Sequence, residues 1–197
     1  MKYMRLTTTA GFVLALLTLP ASAGDFEDGQ KFFASKDYSR AVESLTKAAE
    51  QGNVKAQLQL GIRYFIGLAV TQNYQQSLYW YLKAAEQGSA SAQLQLGGMY
   101  DDGTGVARDY QQALIWYLKA AEQGNAVGQI KLGNMYTYGK GVMRDYTEAY
   151  KWFSLADTSG HKDGRKNREL IEKHMTPEQI ADSKQRITDW IAEHQLP

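Results

Sequence analysis

The strongest pattern in this sequence is the return of the same residue types every 36 positions. Three units of this length follow one another at 54–89, 90–125 and 126–161, and each carries its aromatic, small and glycine residues at matching places. Repetition with a period of about 20 to 50 residues is typical of solenoids, in which neighbouring units bury one another's apolar faces. The recurring residues include Trp80, Trp116 and Trp152, the glycines Gly61, Gly97 and Gly133, and the tyrosines Tyr64, Tyr100 and Tyr136.

Each unit is predicted to contain two antiparallel helices, as the middle unit illustrates. Helix A is expected over about 90–102, and a turn over 103–106 ends it because its glycines readily take positive φ. Helix B is expected to run to about Gln123, with Asp109 as its N-cap and Gln112 completing a capping box. The sequence therefore predicts an all-α fold, an α-solenoid of antiparallel helix pairs.

Residues 24–53 and 162–197 flank the three units and are expected to cap the array. The first segment resembles a tetratricopeptide unit, with a helix over about 26–35 joined through Lys36 alone to a match with helix B. The second segment is expected to form capping helices. One of them should begin with Pro177, since proline is favoured at the first helical position.

The middle unit carries a distinctive series of residues: Ala90-Ser91-Ala92-Gln93, Leu96-Gly97, Tyr100, Gly103, Gly105-Val106, Asp109-Tyr110, Ala113, Trp116-Tyr117 and Ala120 to Gly124. This series resembles the Sel-1-like repeat, a relative of the tetratricopeptide repeat. The resemblance implies a right-handed helical array that acts as a scaffold or adaptor for other proteins, in bacteria often in the cell envelope. The unit from 54 departs from the pattern at Leu68-Ala69, where a second loop glycine is expected, so its loop is expected to differ in shape.

Recurring and variable positions fall on opposite sides of helix A at 100° per residue. Ala56, Gln57, Leu60, Gly61 and Tyr64 are recurring positions within an arc of about 140°, which should face neighbouring helices. Because helix A lines the concave surface of related α-solenoids, the opposite, variable arc is the candidate surface for a partner protein. We call it the helix-A face, and its candidate binding residues are Lys55, Gln59, Ile62, Ile66, Ser91, Gln95, Asp102, Lys131, Asn134 and Tyr138.

Three apolar residues of the helix-A face, Ile62, Ile66 and Tyr138, are expected to be exposed, as recognition anchors are. The alternative is that they pack on a loop or on an edge between repeats.

The recurring tryptophans could serve as platforms for stacking sugars. Residues fixed at every period are nevertheless expected in the core between repeats, where each tryptophan buries about 150–250 Å². The recurring glutamines Gln57, Gln93 and Gln129 fall on the core arc. Since buried amides need hydrogen-bond partners, these glutamines are expected to bridge backbone groups between helices.

Residues 1–23 have the three parts of a secretory signal peptide. Lys2 and Arg5 precede an apolar run over 10–19 and a small-x-small site that ends at Ala23. The apolar run is too short to span a membrane, which takes about 20 residues, so cleavage after Ala23 is favoured over an uncleaved anchor. We expect the mature chain to be periplasmic or secreted, with no transmembrane segment.

Charge and composition exclude several classes of function. With 22 Lys and Arg against 21 Asp and Glu, the chain lacks the basic surface of a nucleic-acid-binding protein. It contains no cysteine, which removes disulfides, thiolate metal sites and cysteine nucleophiles. His161, His174 and His194 form no metal-binding motif, and Gly139-Lys140-Gly141 lacks the rest of a phosphate-binding loop. No metal, cofactor or enzymatic activity is therefore expected.

The sequence favours a non-catalytic scaffold or adaptor of the bacterial cell envelope that binds a partner protein on the helix-A face. The alternative is an envelope enzyme, or a protein that binds glycan or peptidoglycan. An enzyme would need clustered titratable groups with shifted pKa values. The helix-A face offers only Lys55, Lys131 and Asp102.

Overall fold

The computed structural model describes residues 23–194, which form ten α-helices and no β-strand within that range. The predicted signal peptide, apart from Ala23, lies outside the described residues, as do residues 195–197. No helix in the described range combines the length and the hydropathy that crossing a bilayer requires. The helices are α1 (Ala23–Ala34), α2 (Tyr38–Glu50), α3 (Val54–Ile66), α4 (Tyr74–Glu86), α5 (Ala90–Asp102), α6 (Tyr110–Glu122), α7 (Ala126–Tyr138), α8 (Tyr146–Thr158), α9 (Lys162–Glu172) and α10 (Pro177–His194).

The helices pack in chain order, each against the next from α1 to α9, and α10 returns to pack against α8. In the three units, helix A is α3, α5 or α7, helix B is α4, α6 or α8, and all six are 13 residues long. The predicted all-α solenoid of 36-residue helix pairs is confirmed, and helix A of the middle unit has its predicted bounds. The first helix begins at Ala23 rather than near Phe26.

The predicted capping box of helix B is only half formed. Asp109 Oδ1 accepts hydrogen bonds from the backbone N–H groups of Gln111 and Gln112, at 2.9 and 3.0 Å. The Asp109 N–H group does not take the Gln112 side chain as its partner, because it donates to the carbonyl oxygen of Tyr100 at 3.0 Å. This bond ties the start of helix B to helix A. The other units repeat it from Asn73 to Tyr64 and from Asp145 to Tyr136.

The recurring glycine of helix A lets an aromatic ring of helix B lie directly on its backbone. A Cβ atom added at Gly97 would fall less than 3.0 Å from the ring of Tyr117, so a larger residue would push the two helices apart. Tyr117 is fully buried in this position. The other two units make the same contact, Gly61 with Tyr81 and Gly133 with Phe153.

The loop of the first unit keeps the shape of the others, so the expectation drawn from Leu68-Ala69 was wrong. Ala69 takes a φ of 65°, close to the 72° of Gly105 and the 66° of Gly141. The left-handed region costs an alanine roughly 1–2 kcal/mol, and the first unit accepts that strain. A Cβ atom at Gly105 would also meet Tyr74 Cβ at 2.5 Å, which explains the glycine in the second unit.

Helix α10 covers the last unit through a polar and an aromatic contact. Arg186 Nη1 donates to Glu148 Oε1 at 2.7 Å, and the rings of Trp190 and Trp152 meet edge to face with their centroids 5.8 Å apart. Burial acts to raise the pKa of Glu148, but hydrogen bonds from Lys151 and Arg186 outweigh it and lower this pKa overall. An ionised Glu148 therefore contributes to the docking of α10.

We expect Gly97→Ala to lower the free energy of unfolding by about 2 kcal/mol, because the added methyl group overpacks the contact with Tyr117. Gly98→Ala is the matched control. There an added Cβ stays 3.8 Å from Tyr117 Oη, and alanine is the better helix former by about 1 kcal/mol. Urea unfolding followed by circular dichroism measures both variants. Equal losses of stability would show that the Gly97 contact does not limit the approach of the helices.

We expect Glu148→Gln to lower the free energy of unfolding at pH 7 by about 1 kcal/mol. The pKa of Glu148 is lower in the folded than in the unfolded chain, so its stabilising contribution is present above the unfolded pKa of about 4.3. That contribution is lost as the pH falls through the folded pKa. The gap in Tm between wild type and variant should therefore shrink from pH 7 to pH 3.

Glu43→Gln is the control for this titration, because it breaks an exposed ion pair with Lys47. It should leave Tm nearly unchanged at every pH. A gap for Glu148→Gln that stays constant down to pH 3 would contradict an ionic role for Glu148.

Candidate functional site

The ten residues predicted for the helix-A face lie on α3, α5 and α7, and all of them are exposed or partly exposed. Tyr138 is 72% exposed, Ile66 56% and Ile62 38%. These exposures argue against the alternative that the three apolar side chains pack under a loop or on an edge between repeats. Their part in binding stays a prediction.

One cavity of about 270 Å³ opens on the helix-A face between the second and third units. Gln95 and Asp102 line it from α5, and Lys131 lines it from α7. The structure thus brings three of the ten predicted residues together, with side chains of both charges around one cavity. Its lining also includes Phe65, Leu94, Gly98, Met99, Thr104, Tyr117 and Val127.

A buried tyrosine hydroxyl belongs to this cavity. Tyr117 lines it from helix B, and the Tyr117 hydroxyl has no well-formed hydrogen bond within the described residues. Burial raises the pKa of Tyr117, and the carboxylates of Asp101 and Asp102 raise it further. Asp101 is close enough to act on the phenol, but the contact lacks the geometry of a hydrogen bond. The cavity therefore contains a protonated O–H donor beside acidic side chains.

Gly98 leaves space between the cavity and the buried hydroxyl. A Cβ atom added at Gly98 would lie only 3.8 Å from Tyr117 Oη. The corresponding places in the other units hold the larger Ile62 and Asn134. Sequence reasoning missed Tyr117 because it recurs as a core residue. The available signal was a glycine at a variable position next to the recurring Gly97.

Two of the predicted residues border other cavities near α9. Tyr138 lines a cavity of about 410 Å³ together with Arg144, Tyr146 and His174. Asn134 and Tyr138 line a smaller one of about 50 Å³ beside it. The structure therefore does not gather all ten residues into one site. Those that lie outside these three cavities are Lys55, Gln59, Ile62, Ile66 and Ser91.

The recurring glutamines and tryptophans belong to the junctions between units. Gln57 Nε2 donates to the carbonyl oxygen of Ala49 at 2.9 Å, which crosses from one unit to the preceding one. Gln93 and Gln129 donate in the same way to Ala85 and Ala121, both at 3.2 Å. Trp80 and Trp152 are buried and Trp116 is half-buried, so the tryptophans are core residues rather than open stacking platforms.

Within residues 24–194, no group of three or more His, Cys, Asp or Glu side chains is arranged to hold a metal ion. Lys140, the lysine between two glycines, lies 3.4 Å from Asp101 Oδ1 and 5.3 Å from the centre of the Tyr110 ring. It therefore links the loop of the third unit to the second unit.

The consecutive packing of short helix pairs defines an α-solenoid, and its helix-A face is accessible. The chain belongs to the Sel1 repeat family, whose sequence profile matches residues 24–53, 54–89, 90–125 and 126–161, more than half of the chain. The match extends to 24–53, the segment for which a tetratricopeptide-like cap was predicted. Proteins of this family are generally non-catalytic scaffolds for protein–protein interaction.

Solved structures of this family resemble the chain. A Sel1 repeat protein from Oxalobacter formigenes is 36% identical over 74% of this chain and 60% of that chain, with a TM-score of 0.69. A protective antigen of uropathogenic Escherichia coli strains with an SLR fold is 32% identical over 86% of this chain and 45% of that chain, with a TM-score of 0.54. This chain thus spans only about half the length of those two proteins.

A third structure is matched over most of its own length. Cysteine-rich protein B of Helicobacter pylori is 29% identical over 66% of this chain and 92% of that chain, with a TM-score of 0.52. That protein is named as cysteine-rich, whereas this chain contains no cysteine. Among curated protein sequences, no significant match to this chain is found.

We expect Tyr117→Phe to leave the free energy of unfolding unchanged or to raise it by up to about 1 kcal/mol. The substitution removes a buried hydroxyl that has no well-formed hydrogen bond while keeping the ring against Gly97. Urea unfolding of the two proteins provides the comparison. A loss of more than about 1 kcal/mol would mean that the hydroxyl is hydrogen-bonded in the folded chain.

Proposed function

We propose that this chain is a non-catalytic scaffold of the bacterial cell envelope that binds a segment of a partner protein along the helix-A face. The cavity between the second and third units is the anchor point. One observation carries the proposal. The variable residues Gln95, Asp102 and Lys131 border one cavity, and the buried Tyr117 hydroxyl beside them lacks a well-formed hydrogen bond.

The chemistry of this cavity suits a polypeptide segment. The Tyr117 hydroxyl can donate to a backbone carbonyl oxygen, and Gln95 can both donate and accept. Asp102 and Lys131 supply one charge of each sign, which favours a partner with complementary polar groups over one with a high net charge. Protein–protein interfaces combine apolar and aromatic anchors with direct hydrogen bonds.

Exposed apolar residues extend the face on both sides of the cavity. Ile66 lies at the end of α3 in the first unit, and Tyr138 lies at the end of α7 in the third unit. A partner that spans three units would therefore cover both side chains. Burying apolar side chains of this kind favours association.

The predicted signal peptide supports an envelope location. Its basic start, short apolar run and small residues up to Ala23 fit an export signal of a bacterium. The partner would then be another exported protein, or the exported part of a membrane protein.

We expect a photo-crosslinking amino acid at Gln95 or Lys131 to capture one envelope protein in the native host, when the chain is expressed with its own leader. The same amino acid at Ile115 is the matched control. Ile115 is 44% exposed on helix B, away from the helix-A face. Immunoblotting and mass spectrometry of the crosslinked product identify the partner and compare the yields.

A second comparison ties the capture to the apolar anchors. The triple variant Ile62→Glu, Ile66→Glu, Tyr138→Ala should reduce crosslinking at Gln95 at least tenfold while keeping a wild-type helical spectrum. Tyr117→Phe should reduce it severalfold. Crosslinks of equal yield at Gln95 and Ile115, or a yield that the triple variant leaves unchanged, would place the binding surface elsewhere.

A further inference from the structure

The junctions between neighbouring units share a relay of side-chain amides. Gln87 Nε2 at the end of helix B donates to Gln57 Oε1 at 2.8 Å. One unit later, Gln123 Nε2 donates to Gln93 Oε1 at 2.7 Å. In both places the buried glutamine of helix A thus has its nitrogen bonded to backbone and its oxygen bonded to a second carboxamide.

The relay breaks at the third unit, where Ser159 stands one period after Gln123. Gln129 is 2% exposed, and its Nε2 donates to the Ala121 carbonyl as in the other units. Gln129 Oε1, however, is buried without a hydrogen-bond partner among the described residues. A buried acceptor without a donor is costly, so this oxygen is a site that favours an incoming N–H or O–H group.

The nearby hydroxyl groups do not supply that donor. Ser159 Oγ donates to the Leu155 carbonyl oxygen at 3.2 Å, and Thr158 Oγ1 donates to the same oxygen at 2.7 Å. Both hydroxyl oxygens keep lone pairs and can still accept a hydrogen bond.

A cavity of about 360 Å³ lies at this break. Gln129 and Ser159 both line it, so the unpartnered acceptor and the shortened side chain belong to the same space. Leu155 from α8, with Trp190 and Ile191 from α10, gives it apolar walls. The lining of the cavity is therefore partly apolar and partly polar. Its polar part consists of the buried acceptor Gln129 Oε1 and the hydroxyl groups of Thr158 and Ser159.

We propose that this cavity binds a primary carboxamide on a short aliphatic stem, namely the side chain of a glutamine in another polypeptide. The carboxamide N–H group donates to Gln129 Oε1. Within the chain, Gln87 donates in the same way to Gln57 Oε1, and Gln123 to Gln93 Oε1. The second amide hydrogen donates to the hydroxyl oxygen of Thr158 or Ser159. The methylene groups pack on the apolar walls. We call this cavity the carboxamide site, and it is distinct from the cavity of the helix-A face.

The first test introduces the missing glutamine side chain into the chain itself by substitution. Ser159→Gln should complete the relay and raise Tm by about 3 °C. Ser159→Glu is the matched control, because it has the same length and shape but carries no N–H donor and would set a carboxylate against Gln129 Oε1. It should leave Tm unchanged or lower it. If Ser159→Gln gains no more than Ser159→Glu, Gln129 Oε1 does not lack a donor and the proposal fails.

The second test adds the ligand to ¹⁵N-labelled protein. N-acetyl-L-glutamine N-methylamide should shift the side-chain amide signals of Gln129 and the indole signal of Trp190, with half-saturation on the order of 1 mM. The corresponding glutamate compound should bind at least tenfold more weakly. Free L-glutamine separates a small-molecule site from a peptide site, and the proposal expects it to bind more weakly than the blocked compound.

Ser159→Gln should abolish these shifts, because its own side chain fills the carboxamide site. Shifts that persist in Ser159→Gln would place the ligand elsewhere and overturn the proposal. An absence of shifts in the wild type at 20-fold the expected half-saturation would overturn it as well and leave water as the occupant. Tighter binding of free L-glutamine would refute the peptide source.

Discussion

The contact between the recurring glycine of helix A and the aromatic ring of helix B sets the spacing of the whole array. Because Gly97 has no side chain, the ring of Tyr117 lies on the helix backbone and fixes how closely the two helices approach. The ring is fully buried, so its position is determined by packing on all sides. Units with equal spacing can then stack in the same way at each junction. There the recurring glutamine of one unit donates to a backbone carbonyl oxygen at the equivalent position of the preceding unit.

The array departs from its period where stacking stops. Arg63 stands at the place that Met99 and Met135 occupy in the later units, and its guanidinium lies 3.2 Å from the centre of the Phe33 ring. Burial lowers the pKa of Arg63, which fits a cation held over an aromatic face instead of in water. At the other end, Trp190 of α10 covers Trp152. Each end thus uses a contact that no inner unit needs.

Most of the fold could be predicted because its signals are local. Ser89 caps α5 and Gly103 ends it in the left-handed region, so the bounds of that helix follow from single residues. Features that depend on packing could not be predicted in the same way. The Asp109 N–H group bonds to Tyr100 because helix B starts against helix A. Ala69 keeps a positive φ although its own preference opposes it. The ten candidate residues proved accessible, but only three share the cavity with Tyr117.

The two candidate sites have a common physical origin, which explains how a repeat array can gain a binding site without losing its core. At Gly98, the absence of a side chain leaves space beside the buried hydroxyl of Tyr117. At Ser159, a shortened side chain leaves a recurring amide oxygen without its donor. In both cases the polar group beside the cavity was already fixed by the stack, so little conformational entropy is lost when a ligand binds it. A side chain shorter than its counterparts in the other units therefore leaves a pre-organised hydrogen-bonding group at a cavity, at the variable position of Gly98 and at the recurring position of Ser159.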